Sequence, residues 1–354
     1  MSHDIAPTFM RAAFFRKHGP PTVMEVGELP QPRAGAGEVL VRVGATSLNH
    51  LDLWVRRGLP ISIPLPHVGG SDVAGTVAEV GAGVEGVVLG TRVVVDPSLH
   101  YEWYTVPRAG PGLRDAAFQV VGEHVWGGMA ELAVVPAANL LSLPSEVSFE
   151  TAAGGGLVAV TAYRALFTRG GLRPGERVLI SGGSGGVSTL AIQMARAAGA
   201  RVVAITSGQE NVRRLEALGA HMVLDRTTGE VAGLVRDAVG REGVDLAVDS
   251  VGEALWGALV RSLRPGGRLV TYGATTGPRA QVDLRHIFWK QLSVIGSTMG
   301  DPTDFRRAMS LIFARQVEPV VQEVIPLEEV RRAHELLESG GVFGKLVLVP
   351  DSGT

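Results

Sequence analysis

The sequence predicts an α/β protein in which a doubly wound parallel sheet is inserted into a β-rich domain. Three observations predict it. Strand and helix patterns alternate from about Thr161 onward, short β-branched runs dominate the segment before it, and the tail closes in one more strand pattern, Lys345–Val349. In the N-terminal segment, Val39–Val43, Gly75–Val80 and Thr91–Val95 are β-branched or alternating and are punctuated by Gly, Pro and Asp, as half-buried strands require. Helical periodicity is scarce there. Val178–Ser181 is then a short apolar strand, and Gly186–Ala198 a helix with Val187, Leu190, Ala191, Met194 and Ala198 on one face, the spacing of a 3.6-residue period. Val202–Thr206 is the next strand and Asn211–Leu218 the next helix, with Leu246–Ser250 and Arg268–Gly273 as further strands. Such alternation argues for parallel strands joined by crossover helices. Near Gly296 the rhythm relaxes. With no long linker and no internal repeat, both chain ends are expected in the β-rich domain.

The chain has 354 residues, length for roughly two domains. Apolar residues make up 45% and charged residues 19%, the balance of a protein that buries a large core. A net charge of −2 offers no electrostatic reason for nucleic acid or a membrane surface as partner. There is no cysteine, which excludes disulfides, thiolate metal sites and a cysteine nucleophile. Met1–Met10 is polar and lacks the apolar core of a signal peptide, and no run is long enough for a membrane span. A cytoplasmic address is the default expectation.

The chemical signal is VLISGGSGGVSTLAIQMARAAGARVVAIT, which runs strand, glycine-rich turn, helix, strand. That is the context a dinucleotide fingerprint needs. Gly183 and Gly185 are expected to turn tightly and approach a pyrophosphate, with Ser184, Gly186 and Val187 completing the turn and the helix N-terminus facing the phosphate charge. Ser188 replaces the third glycine of the pattern. A glycine-rich turn that only packs strand on helix would look the same. At the end of the second strand, where a carboxylate would grip the ribose of NAD, the chain has Thr206, then Ser207, with Arg213 and Arg214 a turn later. Without the carboxylate a 2′-phosphate is not repelled, and Ser207 and Arg213 are able to bind it. NADPH is therefore favoured over NADH, though the arginines read equally as solvated helix residues.

These features resemble the medium-chain dehydrogenase/reductase superfamily, which includes zinc alcohol dehydrogenases, quinone oxidoreductases and enoyl-thioester reductases. The resemblance extends over nearly the whole chain, through PHVGGSDVAGTVAEVG, LRPGERVLISGGSGGVS, KQLSVIGSTMG and FGKLVLVP. It implies a GroES-like catalytic domain, residues 1–157 and 300–354, around a Rossmann domain, residues 158–299, with the active site in the cleft between them. It also implies that His50 approaches the cofactor pyrophosphate, Thr161 contacts the nicotinamide, and Lys345 reaches the phosphates. Ser250 and Val251 within Asp249–Gly252, Gly273–Ala274 and Thr298–Met299 would line the rest of the groove. Dimerisation is common in the family, and Leu292–Gly296 is a candidate edge strand for a homodimer.

The departures from the family are informative. Zinc-dependent relatives place a Cys where this chain has Asn49, His-Glu where it has Ser71 and Asp72, and a third ligand near Leu157. Asn, Ser and Leu do not form the N/S-rich tetrahedron zinc favours. The structural zinc lobe of the family carries four cysteines, and this chain has Tyr101, Tyr104, Pro107 and Asp115 at those positions. His100, Glu102 and Asp115 could form a replacement metal site, but their irregular spacing favours a solvated loop. No metal is expected. Without a Lewis acid an unactivated alcohol has nothing to lower its pKa. Hydride addition to an enone, enoyl thioester or quinone instead gives an enolate or phenolate that hydrogen-bond donors stabilise.

The expectation is an NAD(P)H-dependent reductase of an activated C=C bond or a quinone, acting on a small molecule such as a CoA thioester. Asn49-x-x-Asp52 looks like the zinc-free quinone oxidoreductase branch, in which the Asn lies near the nicotinamide. Asn49, Tyr104 and Asp52 are the candidate catalytic residues. Tyr101, Tyr104, His124, Asp52 and water remain alternatives as proton donor, and Asp52 also reads as a structural turn residue. Arg56, Arg57, Arg279, Arg285 and Lys290 could attract CoA phosphates. Two alternatives stay open: an alcohol or aldehyde dehydrogenase, and a dinucleotide-binding protein that has lost catalysis.

Overall fold

The computed structural model describes residues 8–100 and 118–350. The chain forms two units, Met1–Leu157 with Val321–Thr354, and Val158–Val320. In the first unit β1 (Phe9–Phe14) pairs antiparallel with β2 (Glu25–Pro30). Then come β3 (Glu38–Ser47), α1 (His50–Arg57), β4 (Asp72–Val80) and β5 (Arg92–Val95). A short pair, β6 (Ser98–Leu99) and β7 (Gln119–Val120), precedes β8 (Leu132–Pro136) and β9 (Leu140–Ser142). Successive residues of a strand face opposite sides, and β3 uses both. Val39, Val41 and Val43 join one apolar cluster, while Leu40 joins another with Phe14, Leu53 and Met129.

The chain passes from the first unit to the second within α2 (Phe149–Tyr163), which continues as a π-helical stretch, Arg164–Arg169. The second unit then alternates β10 (Arg177–Ile180), α3 (Gly186–Ala197), β11 (Arg201–Thr206), α4 (Gln209–Ala217), β12 (Met222–Asp225), α5 (Val231–Val239), β13 (Val244–Asp249), α6 (Glu253–Ser262) and β14 (Leu263–Thr271). α7 (Leu284–Lys290), β15 (Ser293–Gly296) and α8 (Pro302–Phe313) complete it. The six strands are all parallel, in the order β12-β11-β10-β13-β14-β15. This is the doubly wound order with its reversal between β10 and β13. The central strands are apolar without alternation, as in Val178–Ile180 and Leu246–Val248, because both sheet faces are covered. Leu190, Ala191 and Met194 of α3 are buried, as its periodicity predicts. β12 was not anticipated, since MVLD is too short and too exposed to stand out.

The chain returns to the first unit with β16 (Val321–Pro326), α9 (Val330–Glu338) and β17 (Lys345–Val349). These add to a seven-stranded sheet in the order β16-β17-β3-β4-β5-β9, with β8 also on β3. The return falls at Val321, later than the expected residue 300. The reason is α8. Asp301 caps it by accepting from Thr303 and Asp304 N–H, and Asp304 is tied into the second unit by Arg164. Among the described residues no helix is long and apolar enough to cross a membrane.

Arg164 is nearly buried, with Nη1 2.5 Å from Asp304 and 3.4 Å from Asp301. Thr168 donates to the other Asp304 oxygen at 2.6 Å. Removing one partner of a buried ion pair leaves the other charge uncompensated. Asp304→Ala is therefore expected to cost about 3 kcal/mol, read as a lower urea midpoint with an unchanged denaturant slope.

Candidate active site

The carboxyl ends of the parallel strands form one edge, because Ile180, Val248, Val270 and Ile295 stand in register. At the reversal point Ser181 donates to Asp249 at 2.5 Å, and Asp249 accepts from the N–H groups of Val251 (3.0 Å) and Gly252 (2.9 Å). Burial raises the Asp249 pKa against these bonds. Gly252 lies so close to Ala274 that a Cβ would meet its Cα at 2.9 Å, and Thr275 N–H bonds to Ser250. The loops carrying Ser250, Val251, Gly273 and Ala274 are thus locked together. Thr298 and Met299 follow the end of β15, and Met299 has a positive φ of 41°. Thr161 is buried on α2.

The glycine turn differs in detail from expectation. The left-handed residue is Gly182, at φ +58°, which the pattern did not single out. A Cβ on Gly183 would meet Leu215 at 2.6 Å and the Ile205 carbonyl at 3.0 Å, so this glycine serves strand and helix packing. Gly185 is open, with only the Gly182 carbonyl at 3.4 Å, and it precedes α3 without a side-chain cap. The N–H groups of Gly186, Val187 and Ser188 have no acceptor among the described residues, whereas Thr189 bonds back to Gly185. Ser184 lies in the turn between. Bare N–H groups and the helix dipole suit an anion there, so this chain fits a dinucleotide pyrophosphate. Ser188 is accommodated because its hydroxyl donates to the Ser181 carbonyl at 2.8 Å. Tyr272, also missed, lies with its hydroxyl 3.5 Å from Ser188, and burial pushes its pKa up to about 12.

Thr206 ends β11 and is buried, Ser207 is half-buried, and Arg213 is exposed. A carboxylate does stand nearby, on the neighbouring strand. Asp225 pairs with Thr206 in register, but its oxygens accept from Gly208 N–H and from Thr227 N–H and hydroxyl. The Thr227 bonds hold its pKa below the ordinary value.

In the first unit a second polar cluster surrounds Asp72, which is fully buried. Its carboxylate accepts from Ser47 Oγ (2.6 Å), Asn49 Nδ2 (2.8 Å) and Leu157 N–H (2.5 Å), with Lys345 Nζ at 3.4 Å. The positions that carry zinc ligands in related sequences therefore do converge, as Asn49 and Leu157 both bond Asp72. Ser71 is buried beside them with no partner for its hydroxyl. Among the described residues no three His, Cys, Asp or Glu side chains group as metal ligands.

Lys345 departs from its expected role. It is buried, and its ammonium donates to Leu48 O (2.7 Å) and Asn49 Oδ1 (2.6 Å) instead of being presented to phosphate. The antiparallel register of β17 on β3, Val347 opposite Ser47, carries it there. Burial lowers its pKa, and Asp72 and Asp52 oppose that shift. Asp52 is likewise a clamp and not a free acid. One oxygen accepts from Asn49 N–H (2.7 Å) at the start of α1, and the other from Gly70 N–H (2.8 Å). Burial pushes its pKa up to about 6, against the pull of those two bonds.

His50 is exposed at the first turn of α1, its ring 6.4 Å from Trp54. His124 accepts from Val120 N–H and lies 3.5 Å from Glu123, whose pKa is raised by burial and by Asp52. Tyr101, Glu102, Tyr104, Pro107 and Asp115 lie outside the described residues. Most of the basic residues expected to draw CoA phosphates are engaged elsewhere. Arg56 is buried against Glu338, Arg57 is 2.9 Å from the same carboxylate, Arg285 closes on Asp283, and Lys290 caps the carbonyls of Arg261 and Leu263.

Comparison with known proteins gives these arrangements a lineage. Residues 35–145 match the alcohol dehydrogenase GroES-like domain, and residues 186–314 match the family described as zinc-binding dehydrogenase. The crotonyl-CoA reductase of Streptomyces avermitilis is 30% identical over 96% of this chain and 85% of its own. The chain belongs to the medium-chain dehydrogenase/reductase superfamily. As a member it is a nicotinamide-dependent oxidoreductase. A crystal structure of an NAD-dependent alcohol dehydrogenase superposes on this dehydrogenase/reductase with a TM-score of 0.89 at 39% identity, covering 96% of this chain and 99% of the other. The crotonyl-CoA carboxylase/reductase AntE in complex with NADP gives 0.89 at 26% identity, covering 97% and 95%.

The raised Asp52 pKa has a defined consequence. A carboxyl whose folded pKa exceeds its unfolded value stabilises the fold below the unfolded pKa and loses that contribution as pH rises through the folded one. The window here runs from 3.8 to about 6. Asp52→Asn removes this titration and faces one backbone donor with another. Its destabilisation relative to wild type is expected to be larger at pH 4 than at pH 7, measured by urea unfolding at both.

Proposed function

We propose that this chain reduces an activated C=C bond, in an enoyl-CoA thioester or enone, or a quinone, using NADPH and no zinc. The observation that carries this reading is the content of the Asp72 cluster. Asn49, Ser71 and Leu157 offer no zinc tetrahedron, and a lysine ammonium already compensates the buried carboxylate. A reaction stabilised by hydrogen-bond donors suits that content better than one needing a Lewis acid. The crotonyl-CoA reductase likeness supports the same substrate class. A bound nicotinamide supplies the hydride. Asn49 serves as the donor at the reacting carbonyl, Tyr104 is the proposed proton source, and the first turn of α3 holds the pyrophosphate. His50, Thr161 and the loops at Ser250–Val251, Gly273–Ala274 and Thr298–Met299 complete the cofactor groove.

The preference for NADPH rests on Thr206 and Ser207 in place of a free carboxylate, on exposed Arg213, and on the NADP-bound AntE structure. A homodimer through the edge strand β15 fits its position at the end of the sheet and the exposed side chains beside it, with Trp289 at 82% exposure. The second reading, an alcohol or aldehyde dehydrogenase, is favoured by the 39% identity to an NAD-dependent alcohol dehydrogenase.

The test follows absorbance at 340 nm in chelator-treated buffer with a branched enoyl-CoA, a quinone and an aliphatic aldehyde, each with NADPH and NADH. Turnover of the enoyl-CoA or quinone supports the proposal. Aldehyde turnover restored only by added zinc overturns it. In the same assay Arg213→Ala is expected to raise KM for NADPH several-fold and leave KM for NADH unchanged.

A further inference from the structure

The Asn49 carboxamide is gripped at both of its polar atoms by two charges of opposite sign that also meet each other. Lys345 Nζ lies 2.6 Å from Oδ1, Asp72 Oδ2 lies 2.8 Å from Nδ2, and the ammonium and that oxygen are 3.4 Å apart, so the three groups close a ring. An ammonium only donates and a carboxylate only accepts. The usual ambiguity of an amide flip is therefore absent, since reversing it would set N–H against ammonium and C=O against carboxylate. All three side chains are buried. The ammonium on Oδ1 draws electron density from the amide nitrogen in a low-dielectric setting, which strengthens its N–H groups as donors. Nδ2 carries two hydrogens. Asp72 takes one, and the second has no acceptor among the described residues.

We propose that Lys345 is a positioning residue for Asn49: the Lys345–Asn49–Asp72 ring fixes the carboxamide so that its second Nδ2 hydrogen meets the oxygen of the reacting carbonyl. The inference rests on the conjugate-reduction chemistry proposed above. In that chemistry the β-carbon gains the hydride from the reduced nicotinamide, and the C=C π pair moves to join the α-carbon to the carbonyl carbon. The carbonyl π pair passes to oxygen, giving an enolate. A proton from solvent or an acid later bonds to the α-carbon and the C=O re-forms. The negative charge peaks on the oxygen, so a donor fixed in advance favours the transition state over the ground state. Lys345 itself touches neither substrate nor cofactor in this account.

The test compares Asn49→Ala, the charge-balanced pair Lys345→Met with Asp72→Asn, and the triple variant. The paired change avoids leaving one buried charge alone. kcat is measured on whichever of the enoyl-CoA, quinone or aldehyde the wild type reduces. Failure of the conjugate-reductase reading then shows in the choice of substrate, and failure of the lock in the variants. NADPH Kd is read by fluorescence. The expected result is a fall in kcat of about ten- to a hundredfold in the pair, NADPH Kd within about twofold, and no further loss when the pair is combined with Asn49→Ala. An unchanged kcat with NADPH Kd raised tenfold or more would overturn the proposal and make Lys345 a phosphate ligand. So would losses that multiply independently in the triple variant. A second readout needs no turnover. In the wild-type amide spectrum the two Nδ2 protons of Asn49 should be widely separated and slow to exchange, and Asp72→Asn should collapse the separation. Two nearly equivalent, fast-exchanging protons in the wild type would refute the lock.

Discussion

A fully buried carboxylate is the constraint on which the first unit depends. Asp72 opens β4, and a charge taken out of water must be met by donors or it does not stay charged. Four parts of the chain meet it: Ser47 at the end of β3, Asn49 ahead of α1, the Leu157 N–H within α2, and Lys345 at the start of β17. These donors come from segments far apart in sequence, so the carboxylate fixes where β3 ends, where α1 begins and how β17 lies on β3. Asp52 extends the same arrangement one turn on, joining Asn49 N–H to Gly70 N–H. The polar cluster is therefore a structural joint, and it includes Asn49, the residue proposed to act on the substrate.

The second unit uses the same device at the reversal point of its sheet. Asp249, buried like Asp72, takes one hydroxyl from Ser181, the residue after β10, and two backbone N–H groups from the loop after β13. This holds the crevice between the two halves of the sheet in one shape before any ligand arrives. Next to it the first turn of α3 leaves its backbone donors bare. Hydrogen-bonded walls and unmet donors together suit the anion site proposed for the cofactor. Gly182 and Gly183 divide the work of the turn, one by its left-handed φ and the other by its close contact with Leu215.

Local signals made much of this legible. The apolar runs at Val178–Ile180 and Leu246–Val248 and the periodicity of α3 need only neighbours within a few residues, and each formed as read. β15 also took its place at the sheet edge. The loops after β13, β14 and β15 were named on the family resemblance alone, and they follow strands that stand in register side by side. Other features were hidden because they depend on distant partners. Lys345 was expected at the cofactor phosphates, yet it pairs with a carboxylate 273 positions away. Asp52 read both as a candidate acid and as a turn residue, and its two oxygens, each engaged by a backbone N–H, bear out the second. The segment from 300 to 320 looked like the start of the returning domain, and the Arg164–Asp304 pair holds it in the other.

By itself the sequence determined the fold class, the fingerprint turn and the residue types available to chemistry. A chain without cysteine that has Asn49 and Ser71 where zinc-dependent relatives place ligands offers no thiolate or imidazole at those two positions whatever its shape, because ligand chemistry is a property of side chains. Tertiary structure alone decided what those side chains face. The partners of Lys345, Asp52 and Asn49 follow from strand register and helix entry, and a buried charge takes its meaning from the groups packed around it.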